Sequence, residues 1–136
     1  MVLFGKNKIS EPAAHRRITI GEQTLVLNSR GRIPVILAKT SRKMCEVLDL
    51  VYMDQEALQM SLFTGMVHIY KRSKDQIEEL HSAQGESLPI QSIKISQNRR
   101  ALLVTIGSDV ESDKLQRSFQ QVIWTNSFHQ KKKKES

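Results

Sequence analysis

The sequence predicts an α+β domain in which a mainly antiparallel sheet carries one mid-chain helix, a short second helix and a C-terminal helix. Strand-length runs rich in β-branched residues, separated by turns that contain glycine, predict the sheet. One stretch with helical spacing, between an aspartate cap and a glycine stop, predicts the mid-chain helix. No apolar run approaches the roughly 18 residues that a membrane-spanning helix needs, so we expect no membrane insertion.

Four apolar runs in the first half of the chain predict strands. They are residues 17–20, 23–28, 33–39 and 44–53. Turns at Gly21 and Gly31 separate the first three runs. The third run is almost continuously apolar, which indicates a strand that is buried on both faces. In the fourth run, the residues expected to point inward are Cys45, Val47 or Leu48, and Leu50.

Two helices are predicted in the middle of the chain. Asp54 is a favourable N-cap and Gly65 a favourable stop, so residues 55–64 are expected to form the mid-chain helix. The expected apolar stripe of this helix comprises Ala57, Leu58, Leu62 and either Met60 or Phe63. Ser73 and Gln76 resemble a capping box, which predicts the short second helix over residues 73–82.

A hairpin and a terminal helix are predicted to complete the domain. Residues 66–72 alternate in character and predict a further strand. Residues 88–96 and 100–106 predict a hairpin with its turn at Gln97-Asn98. Residues 115–124 predict a helix, with a strand as the alternative, because one helical face collects Leu115, Phe119, Val122 and Ile123.

The positive charge of the chain is concentrated at its two ends. The net charge of +7 combines +7 in residues 1–43, −5 in residues 44–113 and +5 in residues 114–136. Basic ends around an acidic centre are typical of arms that bind a polyanion. We therefore expect a basic N-terminal arm (residues 1–16), a folded domain (17–125) and a polylysine C-terminal tail (126–136).

Six short groups of residues keep one spacing without gaps between Gly31 and Ile106. They are Gly31-Arg32-Ile33-Pro34, Glu46-Val47-Leu48, Tyr52-Met53-Asp54, Glu56-Ala57-Leu58, Thr64-Gly65 and Lys71-Arg72-Ser73-Lys74. In this order they resemble motifs of the phosphoribosyl-AMP cyclohydrolase family, whose members open a purine ring by adding water. The resemblance implies that family's α+β fold, a zinc site, bound magnesium and a dimer that shares its ligands.

The metal-binding motifs of that family are absent from the matching positions. The family's D-C-D-x-D falls on Ser96, Gln97, Asn98, Arg99 and Arg100, and residues 107–136 contain no cysteine for its late C-x6-C. Magnesium needs carboxylate oxygens and zinc needs nitrogen or sulfur ligands, whereas a guanidinium stays protonated and repels a cation. The sequence therefore predicts no metal, no cofactor and no enzymatic activity.

These observations favour an inactive cyclohydrolase-like domain that acts as a structural subunit of a large ribonucleoprotein, most naturally a mitochondrial ribosome. Ribosomal RNA and the neighbouring proteins of a large complex are the expected partners. The residues expected to bind RNA phosphates or other anions are Lys6, Lys8, Arg16, Arg17, Arg99, Arg100, Lys131, Lys132, Lys133 and Lys134. For Arg99 and Arg100, the alternative is that the metal site decayed and left solvated surface arginines.

Two alternative functions are also compatible with the sequence. One is a protein-interaction subunit of an assembly without RNA. The other is a nucleotide- or phosphate-binding pseudoenzyme in which Arg72 and Lys74 form a residual phosphate site. A homodimer is an additional expectation, because the resembled family dimerises. The lone Cys45 predicts a reducing intracellular compartment, with the mitochondrial matrix as the specific expectation and the cytoplasm as the alternative.

Overall fold

The computed structural model describes residues 16–107, residue 110 and residues 115–126. Within them the chain forms eight strands and one α-helix. These are β1 (Arg16–Ile20), β2 (Gln23–Leu27), β3 (Arg32–Ser41), β4 (Met44–Asp54), α1 (Gln55–Thr64), β5 (His68–Lys71), β6 (Gln76–Glu79), β7 (Ile90–Ile95) and β8 (Leu102–Ile106). The predicted α+β class with mainly antiparallel strands is confirmed.

The strands form one four-stranded sheet and two separate hairpins. The order in the large sheet is β4-β3-β8-β7, in which β3 and β8 are parallel and the other pairs antiparallel. The hairpins are β1-β2 and β5-β6. The predicted turn between β7 and β8 is present, since Ile95 pairs with Leu102 across it.

The hydrophobic core is centred on the inner strands of the large sheet. Ile33 and Val35 of β3 and Val104 and Ile106 of β8 are completely buried. Helix α1 packs against β4 and the β5-β6 hairpin. The predicted burial of β3 is confirmed for most of its length, although Ile36 is 40% exposed.

The inward face of β4 agrees with the prediction only at Leu48. Leu48, Val51 and Met53 are buried, whereas Cys45 is exposed and Val47 and Leu50 are each 46% exposed. The cause is a register shift: Leu37 pairs with Asp49 and Ala38 pairs with Val47, so one extra residue of β4 lies between these pairs. Such a bulge reverses the alternation of the strand, which a simple period of two does not anticipate.

Both ends of α1 are formed as predicted. The side chain of Asp54 accepts a hydrogen bond from the backbone N–H of Ala57 at 2.8 Å. Gly65 adopts a left-handed conformation with φ of 76°, and its N–H donates to the carbonyl of Ser61. The predicted apolar stripe is only partly correct, because Leu62 is half exposed and the polar Ser61 is completely buried.

Replacing Ser61 by alanine is expected to lower the free energy of unfolding by about 1–3 kcal/mol, because it leaves buried polar groups without partners. The Ser61 hydroxyl accepts from the backbone N–H of His68 at 2.9 Å and donates to its carbonyl at 3.2 Å. Urea denaturation measures the change. Gln59→Ala, on the exposed side of the same helix, should stay within about 0.5 kcal/mol. An unchanged midpoint for Ser61→Ala would contradict this role.

The predicted second helix over residues 73–82 is wrong, because its centre is strand β6. Residues 72–75 make a tight turn in which Asp75 has φ of 51°, and the chain then returns alongside β5. The Tyr70 hydroxyl donates to Asp75 and Lys74 pairs with Glu78 at 3.1 Å, so contacts across the hairpin replace the expected capping box.

The predicted C-terminal helix over residues 115–124 is also absent, and the alternative strand is absent as well. Ser118 donates its N–H to the carbonyl of Leu48 at 2.8 Å, and Arg117 forms an ion pair with Glu46, so the segment lies along the edge of β4. The hydrogen bond from Arg117 lowers the pKa of Glu46. Of the expected apolar face, Leu115 is buried, whereas Phe119, Val122 and Ile123 are exposed.

Most of the predicted arm and tail lies outside the described residues. Arg16, assigned by prediction to the arm, is the first residue of β1. Among the described residues, no helix combines the length and apolar character required to cross a membrane.

Candidate functional site

The turn between β2 and β3 is held in a defined shape by one asparagine. The Asn28 side-chain oxygen accepts from the backbone N–H groups of Arg30 at 2.9 Å and Arg32 at 3.0 Å. The Asn28 carbonyl accepts from Gly31, which has φ of 77°, a conformation that favours glycine. These hydrogen bonds fix the backbone of the turn that carries Arg30 and Arg32.

Two further contacts bring charge and an aromatic ring to this turn. A Cβ atom added to Gly31 would lie 2.9 Å from Nη1 of Arg16, so the Arg16 guanidinium packs directly on the glycine. The Arg32 guanidinium lies over the ring of Tyr70, 3.9 Å from its centre. Such a cation–π contact fixes the orientation of the guanidinium plane.

These residues surround a crevice of about 240 Å³, which we call the arginine crevice. It is lined by Asn28, Arg30, Arg32, Tyr52, Tyr70 and Arg72. Three lining residues carry guanidinium groups, and none of the six is acidic. Guanidinium groups bind phosphate through paired hydrogen bonds, and aromatic rings stack on nucleic-acid bases. The crevice is therefore suited to a phosphorylated aromatic ligand.

Tyr70 remains a neutral hydrogen-bond donor at this site. Its hydroxyl donates to the carboxylate of Asp75, and this hydrogen bond raises the pKa of Tyr70 above its ordinary value. The phenol is therefore protonated at neutral pH. Its position in the hairpin keeps the ring beneath Arg32.

A second crevice, of about 260 Å³, adjoins the first. It is lined by Val26, Leu27, Asn28, Pro34, Tyr52 and Arg100. Asn28 and Tyr52 line both crevices, so the two are neighbours on the surface. Arg100 stands in the second crevice, so positive charge is present in both.

The β7-β8 turn occupies the positions at which the resembled family binds metal. The Ser96 hydroxyl donates to the Asn98 side-chain oxygen at 2.8 Å and accepts from the backbone N–H of Ala101 at 3.1 Å. Asn98 also accepts from the Arg100 N–H at 3.0 Å. Their side-chain oxygens therefore close the hairpin turn.

The described residues do not fit the family's metals. In the parts of the chain that the structure describes, no group of three or more His, Cys, Asp or Glu side chains is placed to hold an ion. At the turn itself, Arg99 and Arg100 add positive charge, and Arg99 hydrogen-bonds through its guanidinium to Gln23. We therefore derive no chemical step through zinc or magnesium.

The predicted site residues are distributed unequally over the molecule. Arg72 lines the arginine crevice, Arg16 packs beside it on Gly31, and Arg100 lines the adjoining crevice. Lys74 pairs with Glu78 and does not line the crevice, while Arg17 is an exposed residue of β1. The remaining lysines lie outside the described residues; they are Lys6, Lys8, Lys131, Lys132, Lys133 and Lys134.

Sequence reasoning missed Arg30 and Arg32 as site residues. Both flank Gly31 in the stretch Ser29 to Arg32, and that pattern of arginines around a turn glycine was the available signal. Their convergence with Tyr70 and Arg72 depends on the fold, because these residues come from a distant hairpin.

Comparison with known proteins identifies relatives in histidine biosynthesis. The "Histidine biosynthesis bifunctional protein HisIE" of Pyrococcus furiosus is 36% identical over 85 residues, which cover 62% of this chain and 39% of that protein. "Phosphoribosyl-AMP cyclohydrolase" of Archaeoglobus fulgidus is 30% identical over 82 residues, covering 60% of this chain and 74% of that protein. Another "Phosphoribosyl-AMP cyclohydrolase", from Methanocella arvoryzae, is 28% identical over 79 residues, which cover 58% of this chain and 65% of that protein.

The chain covers only part of its longer relatives. The chain spans about two fifths of the length of the bifunctional relatives, at 39% for the proteins from Pyrococcus furiosus and Aquifex aeolicus. No protein-family model matches the chain.

These names correct the functional predictions. The relatives are named as enzymes of histidine biosynthesis, which contradicts both the ribosomal structural subunit and the absence of enzymatic activity. The RNA-binding and mitochondrial assignments are wrong on the same finding, as are the interaction subunit and the pseudoenzyme. Missing metal ligands and basic termini are thus weaker indicators of function than the matching core.

Proposed function

Because the chain belongs to the phosphoribosyl-AMP cyclohydrolase family, we propose that it is an enzyme acting on phosphoribosylated adenine nucleotides, which bind in the arginine crevice. The relatives' name supplies the substrate class. The observation that carries the proposal is the convergence of Arg30, Arg32 and Arg72 on one crevice that has no acidic lining residue.

The charge of the crevice supports phosphate binding. A phosphate carries up to two negative charges at neutral pH, and a hydrogen bond between ionised partners contributes about 1.5–3 kcal/mol. Arg32 is already oriented by Tyr70, so its side chain loses little freedom on binding. The Asn28 turn holds the backbone of Arg30. Arg72 approaches from the β5-β6 hairpin.

The aromatic residues support recognition of the base. Tyr52 and Tyr70 both line the crevice and offer ring surfaces for an adenine. The guanidinium of Arg32 already lies over Tyr70, so Tyr52, which is 42% exposed, is the better candidate for stacking. In this arrangement the arginines hold the phosphate while Tyr52 orients the base.

The experiment separates binding from turnover. Isothermal titration with phosphoribosyl-AMP should show saturable binding to the full chain, and Arg72→Ala should weaken it about tenfold or more. Lys94→Ala, which removes one exposed positive charge from β7, is the matched control and should leave the affinity unchanged. Ring opening is followed in parallel by absorbance. Absence of binding, or equal losses in both variants, would overturn the proposal.

A test at Gly31 examines whether the shape of the turn matters for the site. Gly31→Ala should cost about 1–2 kcal/mol of stability from its left-handed backbone, and its Cβ should displace Arg16. Gly21→Ala is the control, because Gly21 has φ of 61° but open space around its Cβ position. Both variants should lose similar stability in urea, whereas only Gly31→Ala should lose nucleotide affinity. Equal affinities would contradict the geometry.

The cellular setting is a further part of the proposal. We place the protein in a reducing intracellular compartment, and the exposed thiol of the lone Cys45 supports this placement. Homodimer formation remains a prediction, as do contacts with neighbouring proteins.

A further inference from the structure

The second crevice shares part of its lining with the arginine crevice and adds a further arginine. Asn28 and Tyr52 line both crevices, with Arg30, Arg32 and Arg72 in one and Arg100 in the other. The volumes, about 240 and 260 Å³, are similar. A ligand that fills both would place an anionic group at each end and a ring system beside Tyr52.

We propose that Arg100 binds a second phosphate group of the same nucleotide, so that the site selects ligands with two separated phosphates. This inference rests on the proposed function, since it concerns the same substrate. Phosphoribosyl-AMP is such a ligand, because each of its two ribose units carries a phosphate and the adenine lies between them. AMP has only one phosphate and occupies one end.

The backbone at Arg100 is fixed before any ligand arrives. The N–H of Arg100 donates to the Asn98 side chain at 3.0 Å, and Ser96 accepts from Ala101 in the same turn. The carbonyl of Arg99 accepts from Val26 at 2.8 Å, which ties the turn to β2. Because Val26 also lines the second crevice, this bond sets the position of Arg100 relative to the crevice wall.

The residue type at position 100 is suited to binding a phosphate. In the resembled family this position carries a metal-binding aspartate, whereas here a guanidinium supplies permanent positive charge. A side-chain cation can hold a phosphate directly without a bound ion.

The test compares two ligands against three proteins. Dissociation constants for phosphoribosyl-AMP and AMP are measured by titration calorimetry with the full chain, with Arg100→Ala and with Arg100→Lys. We expect Arg100→Ala to weaken phosphoribosyl-AMP about tenfold or more while leaving AMP unchanged, and Arg100→Lys to recover part of the loss. Because Arg100 is exposed, we expect both variants to fold. Thermal unfolding checks this.

The outcomes separate this inference from the proposed function. If the full chain binds neither ligand, the proposed function fails. If it binds phosphoribosyl-AMP but Arg100→Ala has no effect, or weakens both ligands equally, the second phosphate site is wrong and the arginine crevice stands. Lys94→Ala again controls for a general loss of charge and should leave both constants unchanged.

Discussion

Replacing Arg32 by alanine is expected to weaken phosphoribosyl-AMP binding about 10- to 150-fold, the largest effect that we expect of a single substitution on the site. A charge-assisted hydrogen bond contributes about 1.5–3 kcal/mol, and each 1.4 kcal/mol is a factor of ten. Arg32 lines the crevice with its backbone N–H held by Asn28 and its guanidinium over the ring of Tyr70. Its removal also releases the Tyr70 ring.

The Arg32 prediction can be checked by calorimetric titration with a conservative variant as control. Arg32→Lys keeps the charge but loses the planar fork and the stacking on Tyr70, so we expect an intermediate loss. Arg17→Ala, an exposed arginine in β1 that does not line the crevice, should bind as the unaltered chain does. If Arg32→Ala bound normally, the phosphate would have to bind elsewhere.

Ile33→Ala is expected to lower the free energy of unfolding by about 2–5 kcal/mol, the largest stability effect that we expect. Ile33 is completely buried in β3, opposite Met53 of β4, so its removal leaves a cavity within the central sheet. Urea denaturation at constant temperature gives the change in midpoint and slope. A loss of this size would unfold a substantial fraction of a marginally stable domain.

The same strand offers a matched control for the Ile33 substitution. Ile36→Ala removes the same atoms from a residue that is 40% exposed, so it should cost clearly less than Ile33→Ala. Equal losses at the two positions would show that β3 is not buried in the way described here.

Local sequence signals predicted most of the fold. The cap at Asp54 and the left-handed Gly65 each depend on one or two residues, so α1 could be located within a residue. The turns at Gly21 and at Gln97-Asn98 are equally local. Alternation and β-branched residues then identified the strands that these turns join.

The elements that were predicted wrongly depend on long-range contacts. The bulge in β4 reverses which residues face the core, and only its pairing with β3 reveals it. Residues 76–79 become a strand because β5 lies beside them, and residues 115–118 follow the edge of β4 through Arg117 and Ser118. The apolar spacing of these segments fits a helix as well as it fits the observed structures. The sequence alone therefore could not exclude a helix.

The candidate site shows the same division between local and distant signals. Arg72 and Arg100 were predicted as anion-binding residues, but their relation to Arg32 required the positions of two hairpins around β3. Net charge alone could not distinguish a nucleotide site from an RNA surface, since guanidinium groups serve both. The names of the relatives favour nucleotide chemistry, and our proposal rests on them.

The most direct test of nucleotide binding in the arginine crevice is a two-dimensional NMR titration of the uniformly ¹⁵N-labelled full chain with phosphoribosyl-AMP. We expect saturable shifts that are largest for the amides of Arg30, Gly31, Arg32 and Tyr70. No shifts, or shifts confined to the terminal lysine run, would contradict the assignment of the crevice as the substrate site.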